Sequence, residues 1–367
     1  MIAIATQCFG PDFGGIEMLM TNLADELARN GHGVEVFADH IRRVGALELV
    51  RPYPLHRYGF LRPLRRILKR RALQERVTKA PYAGVFADSW KSVAAIPEGA
   101  GPIAVLAHGN EIPRDTWSAK ARRVRHALTR ARTVVASSAF TAELVDGLIR
   151  DSGAQIVVIN PPLPLQEKAR PPALTKLDAV IAGRWPVIST LARLEPRKGV
   201  DMVLRVLPRL RERFPRLVYL VAGEGDDLLR LKEIAAERRV EKSVVFLGAL
   251  ADDQEKAAFF ERSQIFAMPV RRVANSVEGF GIVYAEAAWR SVPSLAGVEG
   301  GAADAVLNGQ TGLLCRGDDE HEVFEALNRL LSDDALRSKL GDAARRHALN
   351  HLSWSSALPR YLAALGL

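Results

Sequence analysis

Short β-branched apolar runs alternate with amphipathic helical stripes along almost the whole chain, and this alternation leaves few folds open. In the first half the runs are Ile2–Thr6, Val34–Ala38, Val85–Ala87, Ile103–Ala107, Thr133–Ala136 and Gln155–Ile159. In the second half they are Val187–Leu191, Leu217–Ala222, Val244–Leu247, Ile265–Met268, Pro293–Ala296 and Gly312–Cys315. Between the first two, Ile16, Leu19, Met20, Leu23, Ala24 and Leu27 form a helical stripe within Ile16–Arg29. Val203, Leu204, Leu207 and Leu210 repeat it in Val200–Arg213, where Pro208 predicts a kink or a shortened helix. Strands separated by helices pair in parallel, so each half reads as an α/β, Rossmann-like domain, and 367 residues suit two of them. The segment Asn160–Pro172 (NPPLPLQEKARPP) is dense in proline and reads as the linker. The expected division is an N-terminal domain over 1–165, a C-terminal domain over 166–352, and a helix over 353–367 that starts at an N-cap Ser353 and packs back on the first domain. Two such sheets facing one another leave a cleft at the carboxyl ends of their strands, where ligands of these folds bind.

Other classes are excluded by simple counts. Hydrophobic residues make up 48% and charged residues 25%, which is a globular balance. No apolar run approaches the ~20 residues of a membrane-spanning helix. The start, MIAIATQCFG, lacks the basic opening of a secretion signal. With Cys8 and Cys315 alone there is no disulfide framework or multi-cysteine metal site, and a reducing cytosol is the expected compartment. The charge is uneven: 24 Lys+Arg against 16 Asp+Glu in residues 1–170, and 27 against 26 in the remainder. Within Arg51–Lys79 there are ten Lys/Arg and a single acid, Glu75. There Arg62, Arg65, Arg66, Lys69, Arg70 and Arg71 interleave with Leu61, Leu64, Ile67, Leu68 and Leu73, an amphipathic pattern that suits an anionic lipid face or an acceptor better than a nucleic-acid groove. A solvated charged face with structural leucines is the bland alternative.

Loops that follow strands hold the candidate chemistry. After the first strand, Gly14 and Gly15 precede a helix; paired glycines let backbone N–H groups approach an anion, or simply make a tight turn. After Val187–Leu191, Arg193 and Lys198 stand before a helix and suit a diphosphate, unless they are ordinary solvated cations. Gly223-Glu224-Gly225 follows a strand without the third glycine of a dinucleotide fingerprint, which also argues against a nicotinamide-dependent oxidoreductase. Glu278 and Glu286 bracket Gly279, Phe280, Gly281 and Ile282. If Gly281 opens a helix, its free N–H groups and two carboxylates face one polyhydroxylated ligand. His108 ends the strand Ile103–Ala107, as a ligand contact or a turn histidine, whereas His32 in Gly31-His32-Gly33 reads as turn chemistry. The pairs Asp252-Asp253 and Asp318-Asp319 read as helix caps, not metal ligands.

Taken together and in order, Arg193…Lys198-Gly199 and Glu278-x7-Glu286, on two α/β halves with an early Gly-Gly loop, resemble the retaining family-4 glycosyltransferases of GT-B fold. Gly31-His32-Gly33-Val34-Glu35-Val36, Phe246-Leu247-Gly248 and Asn308-Gly309-Gln310-Thr311-Gly312 extend the resemblance over nearly the whole chain, with gaps mainly across Ile41–Ala80. Ile265–Pro269 with Val277–Tyr284 is most similar to bacterial phosphatidylinositol mannosyltransferases.

The resemblance implies roles residue by residue. Arg193 and Lys198 hold the diphosphate of a nucleotide sugar and stabilise the leaving group. Glu286 accepts from the ribose hydroxyls. Glu278, with Gly279, Phe280, Gly281 and Ile282, orients the donor sugar. Gly14 and Gly15 close over the phosphates, and His108 contacts the sugar. Phe246, Leu247 and Leu250 flank the base, with Gly223 close by. It also implies a hexose donor, GDP-mannose ahead of UDP-hexoses, a lipid-linked or surface-glycan acceptor, a cytoplasmic enzyme peripheral on the inner membrane face, no covalent protein nucleophile, and no required metal or cofactor. The non-catalytic alternative is a module that binds nucleic acid or an anionic membrane through its basic half. Two departures from the family stand out: Gly300-Gly301-Ala302-Ala303-Asp304 where relatives carry Gly-Gly-x-x-Glu, and Asn160-Pro161-Pro162-Leu163 where they carry Asn-Gly-Val-Asp.

Overall fold

The computed structural model describes residues 1–11, 14–40, 51–59, 61–150 and 152–367, with the side chains of 62 and 63 left out. Two compact units divide it, Met1–Pro164 with Trp354–Leu367, and Leu165–Ser353. The boundary falls inside the proline-rich segment. That segment is shorter than its composition predicts, because Pro171 and Pro172 open a helix, Pro171–Ile181, where a missing N–H costs nothing.

In the first unit the strands are β1 (Ile2–Ala5), β2 (Val34–Asp39), β3 (Leu55–Tyr58), β4 (Gly84–Ala87), β5 (Ile103–Ala107), β6 (Thr133–Ala136) and β7 (Gln155–Val158). They form one parallel sheet in the order β3-β2-β1-β4-β5-β6-β7. Strand β3 is absent from the sequence expectation. It is a half-exposed edge strand, Leu-His-Arg-Tyr, so it has no continuous apolar run to betray it.

The second unit holds β8 (Val187–Leu191), β9 (Val218–Ala222), β10 (Val244–Gly248), β11 (Ile265–Met268), β12 (Ser294–Gly297) and β13 (Gly312–Cys315), again parallel, in the order β10-β9-β8-β11-β12-β13. Both sheets start at their centre and reverse direction next to the first strand, the doubly wound arrangement.

Helices cover both faces of the first sheet. In Gly15–Arg29 the buried stripe is Leu19, Met20, Leu23, Ala24 and Leu27. The helix ends as Gly31 turns left-handed at φ 82° and His32 N–H bonds the Leu27 carbonyl at 3.0 Å, which makes His32 a turn residue as its sequence context predicts. The C-terminal helix Trp354–Leu365 belongs to this unit and buries Trp354, Ala357, Leu358, Tyr361, Ala364 and Leu365. In the second unit the helix Val200–Arg213 runs through Pro208 without the predicted shortening. Val203, Leu204, Leu207 and Leu210 are fully buried there, and their burial outweighs the ~3 kcal/mol that an interior proline costs.

The Tyr361 ring lies 6.0 Å from Phe86 and 5.8 Å from Trp354, and the residue is 1% exposed. Tyr361→Ala is expected to destabilise the first unit by about 3–5 kcal/mol, seen as an earlier first transition in urea unfolding followed by tryptophan fluorescence.

Candidate active site

Ligands of doubly wound sheets bind past the carboxyl ends of the strands, where the strand order reverses. In the second unit that point lies between β8 and β11. From β8 the chain passes Arg193 and enters a single 3-10 turn, Pro196–Lys198, closed by Gly199 ahead of the helix Val200–Arg213. Past β11 it reaches Glu278, and then the helix Ile282–Trp289.

These two loops meet on one carboxylate. Lys198, only 8% exposed, donates its ammonium to Glu278 Oε2, and Arg197 Nη1 donates to the same oxygen at 2.9 Å. Burial works against a charge on Glu278, but Lys198 and Arg197 outweigh it and hold the carboxyl below its ordinary value of 4.5. Arg197 Nε also donates to Glu195 Oε2 at 2.8 Å. Arg271 braces the turn from the β11 side: its N–H bonds the Arg197 carbonyl at 2.9 Å, and its guanidinium forks onto buried Asp201 at 2.9 and 2.8 Å.

Arg193 and Lys198 are the cations the sequence predicts together. The structure joins Lys198 to Arg197 instead; the Arg193 side chain is 76% exposed, with Glu195 Oε1 at 3.6 Å. Arg197 and Arg271 escape the sequence reading. Arg197 had a signal in its adjacency to Lys198, whereas Arg271 had none, since only folding brings it to Asp201.

Gly281 caps the helix Ile282–Trp289 at φ 84°, and a Cβ there would sit 2.6 Å from the Tyr284 ring. Among the described residues nothing accepts from the N–H groups of Phe280, Gly281, Ile282 and Val283, so the positive end of this helix is open to an anion. Phe280 itself is buried. Glu286, in the second turn, is 4% exposed, and its Oε1 accepts from Lys256 Nζ at 2.9 Å. Burial opposes the Lys256 charge, yet Glu286 and Asp253 raise its pKa above 10.5. Lys256 is a third residue the sequence did not mark.

Beside this point the β10 ladder slips between Phe246 and Gly248, a bulge, and Phe246, Leu247 and Leu250 are all half-buried. Gly223 follows β9 at φ 120°; a Cβ would lie 1.8 Å from the Ala192 carbonyl oxygen, so only glycine lets the turn pack against the loop that carries Arg193.

In the first unit the equivalent point lies between β1 and β4. Buried Asp88 ties it together: its Oδ2 accepts from Thr6 Oγ1 at 3.0 Å and from the Gln7 N–H at 2.8 Å. His108 Nε2 lies 2.8 Å from the Asp88 carbonyl oxygen. A carbonyl only accepts, so Nε2 carries the proton and Nδ1 of a neutral ring is left as an acceptor. Burial and the Asp88 charge push the Cys8 thiol well above its ordinary pKa, so it is no thiolate nucleophile. Gly14 caps the helix Gly15–Arg29 in an extended conformation; the preceding residues 12 and 13 lie outside the description.

The basic stretch needs correction. Residues Arg62–Val77 are helical, but Lys69 is 3% exposed and donates to the Thr6 carbonyl at 2.6 Å and to Asp39 at 2.7 Å. Arg65 also meets Asp39, at 3.3 Å, and Leu73 is fully buried. These three form the inner face, held by charge pairing and burial. The outer face carries Arg66, Arg70 and Arg71 beside exposed Leu61, Leu64 and Ile67, and the Arg62 side chain lies outside the description. Asp252 and Asp319 cap helices, as their positions predict. Among the described residues no group of three or more His, Cys, Asp or Glu is arranged to hold a metal ion, and no helix is long and apolar enough to cross a membrane.

Comparison with known proteins matches both halves. Residues 178–347 match the family described as Glycosyl transferases group 1, and residues 13–167 match Glycosyltransferase Family 4. The chain is 39% identical, over 174 residues, to a GDP-mannose-dependent alpha-(1-6)-phosphatidylinositol monomannoside mannosyltransferase of Mycolicibacterium smegmatis, covering 47% of this chain and 45% of that one. It is 35% identical, over 205 residues, to a GDP-mannose-dependent monoacylated alpha-(1-6)-phosphatidylinositol monomannoside mannosyltransferase of Corynebacterium glutamicum, covering 55% and 51%. The chain thus spans about half the length of the curated relatives it matches. HepE from Anabaena, solved in complex with UDP and glucose, superposes with a TM-score of 0.77 at 19% identity over 100% of this chain and 99% of the other, which shows the expected GT-B fold.

Glu278→Gln leaves two largely buried cations without their counter-charge. The expected loss at pH 7 is about 3 kcal/mol, read as a lower urea midpoint. The sign follows from the depressed carboxyl: its contribution is complete above 4.5 and disappears as the pH falls through the lower folded value. The wild type therefore loses this share in acid, and the variant's stability is flatter over the same limb.

Proposed function

Because the chain belongs to the glycosyltransferases, with a family 4 domain ahead of a group 1 domain, we propose that it moves a hexose from a nucleotide-diphosphate sugar to a lipid-linked or surface-glycan acceptor with retention of the anomeric configuration. GDP-mannose is the favoured donor, on the printed names of the curated relatives; the UDP bound to the Anabaena structure keeps UDP-hexoses as the second choice. The observation that carries the proposal is the convergence of Lys198 and Arg197 on Glu278, beside an open helix N-terminus at the strand-order reversal of the second unit.

The chemistry follows from where charge develops. The bond between the anomeric carbon and the β-phosphate oxygen breaks, the acceptor oxygen bonds that carbon on the same face, and the acceptor proton passes to the departing phosphate. The leaving diphosphate gathers negative charge. Lys198, whose ammonium has two further hydrogens beyond the one given to Glu278, donates to it, and Arg193 swings in from solvent to complete the clamp. The N–H groups of Phe280, Gly281 and Ile282 face the same charge, and Glu278 and Gly279 orient the sugar. Glu286 accepts from the ribose hydroxyls through the oxygen that Lys256 leaves free. Phe246, Leu247 and Leu250 flank the base beside Gly223. Within the first unit, the Gly14-Gly15 turn offers backbone N–H groups to an anion, and His108 offers its Nδ1 lone pair to a ligand hydroxyl. The reaction uses no covalent protein nucleophile and needs no metal or cofactor.

The enzyme works in the cytoplasm, attached peripherally to the inner membrane face. Leu61, Leu64 and Ile67, exposed beside Arg66, Arg70 and Arg71, would enter the headgroup region of an anionic leaflet.

Two measurements test the proposal. A donor panel scored by thermal shift and nucleoside-diphosphate release should single out one nucleotide sugar, and Lys198→Ala should lower turnover on it by about 10²–10³-fold; near-normal turnover removes Lys198 from the mechanism. Leu64→Ser with Ile67→Ser should release the protein from phosphatidylglycerol-containing vesicles in sedimentation, and unchanged sedimentation would reject this face as the membrane contact.

A further inference from the structure

A second set of charges stands behind the contact of Lys198 and Arg197 with Glu278. Asp201, in the first turn of the helix Val200–Arg213, is 4% exposed, and Asp227, just ahead of the helix Leu228–Glu237, is 7% exposed. Two arginines join them. Arg271, past β11, spends its fork on Asp201. Arg230 forks onto Asp227 at 2.5 and 2.7 Å and reaches Asp201 Oδ2 at 3.4 Å. An acid in a first helical turn is ordinary where it faces the helix N–H groups. Asp201 differs, because both its oxygens accept from arginines of other elements. Two acids and two arginines are neutral as a set, and apolar side chains of the same volume would hold the segments together as firmly. What the ionic set adds is direction, since a fork onto a carboxylate fixes both partners in one plane.

Direction matters here because the backbone is packed with little room to move. Gly199, between Lys198 and the helix, would place a Cβ 2.1 Å from the Pro269 carbonyl oxygen, and Gly225 would place one 2.2 Å from the Leu194 carbonyl oxygen. The N–H groups of Arg271 and Asp227 bond the carbonyls of Arg197 and Leu194, at 2.9 and 3.3 Å. The loops past β9 and β11 therefore each grip the segment that carries the cations, and Asp201 ties those two loops to the helix that follows it.

We propose that Asp201 is a positioning residue for the transfer: through Arg271 and Arg230 it locks the loops past β8, β9 and β11 together and so holds Lys198 and Arg197 where the diphosphate gathers charge. That the charge belongs to a departing diphosphate rests on the glycosyltransferase reading; the link from Asp201 to the cations does not. Stabilisation by fixed cations depends on where they stand. A misplacement of about 1 Å costs up to about 10²-fold in turnover, and the binding of the less charged ground state changes less.

The test uses the full chain. Turnover is read as nucleoside-diphosphate release, and inorganic pyrophosphate, titrated calorimetrically, is the probe that needs no turnover. Asp201→Asn keeps the shape and removes the charge; it should lower kcat by about 10–100-fold and leave the donor KM within about threefold. Arg230→Gln should show a smaller loss of the same kind, and Arg271→Lys, which keeps a cation on Asp201, should retain more turnover than Arg271→Gln. In a Lys198→Ala background Asp201→Asn should cost less than about threefold more, because the group it positions is gone. An aspartate that served only the fold would lower turnover alike in both backgrounds, in step with the folded fraction. Pyrophosphate carries the charge of the leaving group without sugar or base, so Asp201→Asn should weaken its binding by at least about fivefold, and by far less in the Lys198→Ala background. Where Asp201→Asn does not fold, Arg230→Gln and the Arg271 variants carry the same comparisons. Unchanged kcat, an equal loss in both backgrounds, an equal loss in Arg271→Lys and Arg271→Gln, or a wild type that binds no pyrophosphate overturns the proposal. A wild type that binds pyrophosphate but turns over no nucleotide sugar removes the glycosyltransferase reading alone, and the pyrophosphate affinities of the same variants then decide the role of Asp201.

Discussion

A buried carboxylate that two cations share organises the second unit. Glu278 comes from the loop past β11, and Lys198 and Arg197 from the loop past β8, so their contact joins the two loops on either side of the strand-order reversal. Burial opposes the charge on Glu278, the two cations outweigh that cost, and they still have ammonium and guanidinium hydrogens unused. That combination suits a site that must accept and release a polyanion. Arg271 and Asp201 sit behind it and fix the backbone of the same turn, so the cations are held by the scaffold before any ligand arrives.

The two units share a topology and use its reversal point differently. Past β1 and β4 a carboxylate again lies at the centre, but Asp88 accepts from a hydroxyl and from backbone N–H groups. It closes the loops with neutral donors, and Lys69, which reaches the Thr6 carbonyl there, is itself paired with Asp39. The positive charge of the first unit lies instead on the helices beside that point, around Trp90. One topological position thus supports a charge-paired clamp in one unit and a neutral tie in the other, and the difference lies wholly in loop residues.

Legibility in the sequence follows burial. Ile103–Ala107, Thr133–Ala136, Val187–Leu191, Ile265–Met268 and Gly312–Cys315 match their predicted limits because a strand covered on both faces reads as an unbroken apolar run. Leu55–Tyr58 was invisible because an edge strand tolerates His56 and Arg57. Pro208 misled because local backbone preference lost to a fully buried helix face. In the site, Glu278 and Glu286 were legible from their spacing around a glycine. Which cation turns toward Glu278 was not, since Arg193, Arg197 and Lys198 lie within six residues and a single 3-10 turn sorts them. Lys256 and Arg271 come from other elements, so no local pattern announces them.

The charge imbalance shows the same limit from the other side. A net excess in the first 170 residues was plain, and the run around Arg62–Arg71 drew attention to itself. Yet that run splits on folding: Lys69 turns inward onto Asp39, while Arg66 and Arg70 meet no carboxylate among the described residues. Arg122 and Arg123, which line one cavity with those two arginines, belong to a second basic stretch, Lys120–Arg132, with six Lys/Arg and no acid, which the sequence reading did not single out. A local count therefore overstated a linear patch and missed a three-dimensional one. Which cations of a run find a carboxylate and which line a cavity are properties of the fold, and no local count contains them.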